Sequence, residues 1–83
     1  EMHEIEVFPN PVRDILHVKL IEPKSDVVIQ YRILDASGAV VNKGRLDSEA
    51  QQIDISEVTA GLYYIEFRDR AGTLVGSEKF VRE

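Results

Sequence analysis

A chain of 83 residues, 43% hydrophobic and 30% charged, has room for a single domain over residues 1–83. It has no cysteine, which excludes disulfides and thiolate metal sites, and no run near the roughly 18 apolar residues of a membrane span. Its net charge of −5 disfavours nucleic acid and anionic membrane surfaces as partners, because both are bound through clustered Lys and Arg.

Alternation with period two runs from end to end, and no helical stripe persists. The charged start "EMHEIEVF" is no signal peptide and reads as the cut end of a longer protein. Within it Ile5 and Val7 alternate with glutamates. "FPNPVRD" follows, and its prolines pre-set an extended segment or tight turn around Asn10. "DILHVKLI" places Leu16, Val18 and Leu20 on one face and His17 and Lys19 on the other. "IEPKSD" is a looser polar connection. "DVVIQYRILD" sends Val27, Ile29, Tyr31 and Ile33 one way and Gln30 and Arg32 the other. "AVVNKGRL" is a weaker strand, interrupted by Gly44. "QQIDIS" offers Ile53 and Ile55, "GLYYIEFRD" offers Tyr63, Ile65 and Phe67, and "TLVGSEKFVR" completes the series.

About seven strands rich in β-branched and aromatic residues, each with one apolar face, predict a mainly antiparallel all-β sandwich. Asp35-Ala36-Ser37-Gly38 and Asp69-Arg70-Ala71-Gly72 share one turn chemistry. The Asp side chain caps the turn and the Gly accepts positive φ, so the strands flanking each turn are expected to pair. In "SEVTAGLYY" the expectation is that Val58 plugs the core and Gly61 takes the bend. Tyr63 points inward with its hydroxyl on upstream backbone, as at the crossover of a Greek-key sandwich, and Tyr64 points out.

Chemistry is sparse. His3 and His17 have no metal-ligand spacing, and Asp14, Asp35, Asp54 and Asp69 read as turn and strand-end residues, with a loop calcium site as the alternative. Ser25, Ser37, Ser48, Ser56 and Ser77 have no nucleophile-elbow context, and no glycine loop cradles phosphate. The reading is a non-enzyme without metal or cofactor. Three exposed features remain: the Pro9-Asn10-Pro11 turn, the terminal "SEKFVRE", and the edge strands, which are templates for strand addition by a partner. The bland account makes Phe80 core, leaves Lys79 and Arg82 solvated, and gives the prolines only an edge to protect.

Phe8 to Pro11, Leu34 to Val41, Ile53 to Ser56, Gly61 to Phe67 and Lys79 to Arg82, in that order, resemble the C-terminal sorting domain of the type IX secretion system, in its type A form. The match covers roughly residues 7 to 82. Phe8 stands where Tyr is common, Val58 where Leu is usual and Arg82 where Lys is frequent, and Glu83 follows. The resemblance implies a seven-stranded immunoglobulin-like fold and a delivery label. A cargo domain N-terminal in the same chain, already in the periplasm, crosses the outer membrane. The system's translocon reads the label, and a sortase commonly cuts ahead of it, for surface attachment or release.

On this reading Pro9, Asn10, Pro11, Asp35, Gly38, Gly61 and Tyr63 hold the fold. Lys79, Phe80, Val81 and Arg82 present the signal, by strand addition and by charge from Lys79 and Arg82. The isolated domain is expected to be a monomer. The alternatives are an accessory immunoglobulin-like module that binds carbohydrate, for which Tyr64 is the best candidate and the lack of tryptophan counts against it, and a structural spacer.

Overall fold

The structure, a computed structural model, describes residues 4–21 and 29–83. His3, Ser25, Val27 and the connection after Ile21 lie outside the described residues. Among the described residues seven strands follow in order: β1 (Glu4–Phe8), β2 (Ile15–Ile21), β3 (Ile29–Asp35), β4 (Val40–Leu46), β5 (Ala50–Asp54), β6 (Gly61–Arg68) and β7 (Leu74–Arg82). Among the described residues there is no helix. The strands form a three-stranded sheet, β1-β2-β5, and a four-stranded sheet, β4-β3-β6-β7, with every pairing antiparallel.

The chain changes sheet after β2, β4 and β5, so β2 lies beside β5 and β3 beside β6. This interleaving is that of a Greek-key sandwich. It differs from the constant-type immunoglobulin arrangement in that the fourth strand pairs with the third instead of joining the first sheet. Side-chain alternation decides what fills the space between the sheets. Leu16, Val18 and Ile53 of one sheet share a buried cluster with Ile33, Ile65 and Phe67 of the other. No described polar or charged residue is buried, so the space between the sheets is filled by apolar and aromatic side chains.

Both expected hairpins form. Asp35 Oδ1 accepts the N–H groups of Ser37 and Ala39 at 2.9 and 3.0 Å and the Ser37 hydroxyl at 2.6 Å. That hydroxyl, then the Ala39 N–H, hold the Asp35 carboxyl below its ordinary pKa. Gly38 completes the turn at φ 92°, a conformation that L side chains rarely adopt. At the second hairpin Asp69 Oδ1 accepts the Thr73 N–H at 3.0 Å.

One expectation is corrected. Gly44 does not interrupt β4, which runs unbroken from Val40 to Leu46. Gly44 lies opposite Tyr31 of β3, and a Cβ there would stand 2.7 Å from the Tyr31 hydroxyl oxygen and 2.8 Å from its ring. The glycine makes room for an inward tyrosine. Burial pushes the Tyr31 phenol up from its ordinary pKa.

Candidate functional site: the clasped end of the last strand

β7 is an edge strand, held on one side by β6. Its other side is met near its end by the segment that follows β1. Asn10 Oδ1 accepts the Val81 N–H at 3.0 Å, and the Asn10 amide nitrogen makes a longer contact of 3.5 Å to the Lys79 carbonyl. The Val12 N–H donates to the Val81 carbonyl at 2.8 Å, and the Glu83 N–H donates to the Val12 carbonyl at 2.9 Å. Val12 and Arg82 thus form a parallel bridge between the segment after β1 and the end of β7, and the Val12 side chain is fully buried. The peptide bonds before Pro9 and Pro11 are both cis. The sequence presented the Pro-Asn-Pro turn and the terminal strand as separate features. The fold joins them.

The four terminal candidates divide sharply. Phe80 is 1% exposed and stacks on Tyr63 with ring centroids 5.8 Å apart. Lys79 is exposed and Val81 is 42% exposed, and both point away from the core on the outer face of the sheet.

Arg82 overturns its expectation. Its side chain is only 14% exposed. Nε donates to the Ile55 carbonyl at 3.1 Å, one terminal nitrogen donates to the Glu83 carbonyl at 2.6 Å, and the other reaches Asp14 Oδ1 at 3.2 Å and the Ser56 carbonyl at 3.3 Å. A planar guanidinium with several fixed donors suits this tie between the end of β7 and the β5–β6 crossover. Arg82 is therefore not a solvated charge. At the end of β7, Asn10 and Val12 already occupy the backbone N–H and carbonyl of Val81, so those two groups are not free to pair with an added strand.

At the crossover itself the tyrosine reading holds. The Tyr63 hydroxyl donates to the Thr59 carbonyl at 2.6 Å and lies 3.2 Å from the Thr59 hydroxyl. Gly61 has φ 156°, and Val58 packs partly buried against the core. Tyr64 is 42% exposed. Asp54 caps the same crossover, accepting the Ser56 N–H at 2.8 Å, and its hydrogen bonds to Ser56 lower its pKa.

Asp35, Asp54 and Glu57 line a shallow concavity beside Thr59 and Tyr63. Two of these three carboxylates are committed to turn backbone, and among the described residues no three His, Cys, Asp or Glu side chains converge on a point that would hold a metal.

The sequence matches the family described as the secretion system C-terminal sorting domain over residues 6–83. The chain belongs to this family. No curated protein matches the chain. The sorting domain is a signal of type IX secretion, which implies a cargo N-terminal in the same polypeptide, interaction with the secretion system, and passage across the outer membrane to the surface or beyond. In this sorting domain, the two ends of the matched segment are the two partners of the clasp.

Proposed function

We propose that the domain is the address of its own polypeptide, read in the folded state by the outer-membrane translocon of the type IX system after the cargo has reached the periplasm. A sortase of that system then cuts ahead of the domain and attaches or releases the cargo. The domain itself performs no chemistry and needs no cofactor, since bond cleavage belongs to the sortase. The observation that carries this reading is the family match together with the clasp, which ties the end of β7 to the segment after β1. A signal carried by a fold needs that rigidity, because an ordered surface is bound without the cost of ordering it.

The test is a periplasm-directed reporter with this chain at its C terminus, expressed in a host with a type IX system and in the same host lacking the translocon. Surface reporter in the first host alone supports the reading, and equal surface reporter in both sinks it. Mass spectrometry of the surface product decides cleavage: loss of the domain supports the sortase step, and retention of the intact domain removes it.

A further inference from the structure

The chain carries a net charge of −5, yet its charges are not evenly spread. One face of the four-stranded sheet turns away from the core. Arg32, Lys43, Arg45, Arg68 and Lys79 stand on that outer face. The only carboxylate among the outward strand positions described there is Glu66, which is held between Arg32 at 2.9 Å and Arg68 at 3.8 Å. Asp47, just past β4, pairs with Arg45 at 3.1 Å. The face is a cationic surface on an acidic domain.

The same face carries an apolar end. Leu62 lies opposite Val81, and Leu34 lies between Tyr64 and Val40. Val40, Leu62, Tyr64 and Val81 are each about two-fifths exposed. They sit beside the clasp, whose bonds fix the backbone of Val81. Exposed large apolar side chains gathered on one strand-paired surface mark an interaction site.

We infer that the translocon reads the outer face of β4-β3-β6-β7 through an acidic protein surface with an apolar centre, which packs on Leu62, Tyr64 and Val81 while its carboxylates meet Lys79 and Lys43. This inference rests on the sorting function. Charge complementarity selects the partner's sign, and a cationic face on an acidic body orients the domain on approach. A protein is favoured over an anionic lipid surface because the apolar side chains lie on a regular sheet, and among the described residues no helix presents an amphipathic face to a bilayer. A partner face of matching shape can cover them.

The test compares four reporters carrying this chain at the C terminus in a type IX host. They are the parent, Lys43→Glu with Lys79→Glu, Leu62→Thr with Val81→Thr, and the control Lys19→Glu with Arg70→Glu, which makes the same charge change away from the face. Thermal melting of each purified fusion checks folding. Surface reporter is expected to fall at least about tenfold in both face variants and to stay at the parent level in the control. Face variants that melt like the parent and are exported as well as it is overturn this inference and leave the sorting function standing. A parent that is not exported overturns both. Binding of the parent to phosphatidylglycerol vesicles at physiological salt, lost in the Lys43 and Lys79 variant, overturns the protein partner in favour of lipid.

Discussion

The N–H of Val81 donates to Oδ1 of Asn10 at 3.0 Å, across 71 positions of sequence. That side chain takes one of the backbone donors that a recruited strand would otherwise pair, and the Val12 backbone takes the neighbouring carbonyl. Replacing Asn10 by Ala is expected to cost about 1 kcal/mol, the usual net worth of one exposed or half-exposed hydrogen bond. Hydrogen exchange should speed up at the Val81 and Glu83 amides before it does at Ile65. A uniform increase across the domain would mean that the clasp is not a separate unit.

Tyr63 and Tyr64 are neighbours with opposite environments. Tyr63→Ala removes a buried ring and should cost about 3 kcal/mol or more. Tyr63→Phe leaves the Thr59 carbonyl without its 2.6 Å donor and should cost about 1–2 kcal/mol. Tyr64→Ala should cost under half of the Tyr63→Ala loss. Denaturant unfolding of the three variants checks the ranking.

Gly44→Ala should destabilise by about 1–3 kcal/mol, because the new methyl overlaps the Tyr31 ring. In a Tyr31→Val background the same change should cost much less. Equal costs in the two backgrounds, measured as a double-mutant cycle, would show that the ring is not what the glycine accommodates.

Lys79→Glu and Arg82→Glu look alike on paper and should behave differently. The first changes an exposed charge and should stay within about 0.5 kcal/mol. The second strips the Ile55 and Ser56 carbonyls of their donor and sets a carboxylate against Asp14. It should cost about 2–4 kcal/mol. Melting curves of the two single variants separate them.

Asp35 and Asp54 titrate below their ordinary values because turn hydrogen bonds favour their charged forms. A lowered folded-state pKa means the contribution is complete above the unfolded-state pKa and disappears as pH falls through the folded-state value. The melting temperature should therefore drop on acidification through the carboxylate range. It should drop less steeply in Asp35→Ala with Asp54→Ala, and an unchanged slope would remove these two turns as its cause.

The legible part of the fold was what a single strand reveals about itself. Alternation placed Leu16, Ile33, Tyr63 and Phe67 inside and Tyr64 outside, and Asp-x-x-Gly announced both hairpins. What stayed hidden depends on a partner from elsewhere in the chain. Gly44 looked like a defect because the pattern of β4 does not show that Tyr31 faces it. Arg82 looked solvated because its acceptors, the Ile55 and Ser56 carbonyls, are backbone atoms that no side-chain pattern marks. Asn10 read as a turn residue because its partner lies at the far end of the sequence. The outer cationic face was missed for the same reason: its five cations come from four strands, and only the register gathers them.

The clasp also sets a mechanical route. Cargo would pull on the domain through Glu4 and β1, while a receptor on the four-stranded sheet would hold β7. Load can travel between those points through β2 and the packed interior, or directly through Asn10, Val12 and their bonds to Val81 and Glu83. The direct path runs through a few hydrogen bonds. Tension between label and load would bear first on those few bonds, so the domain resists being drawn apart at the seam where its first and last strands meet.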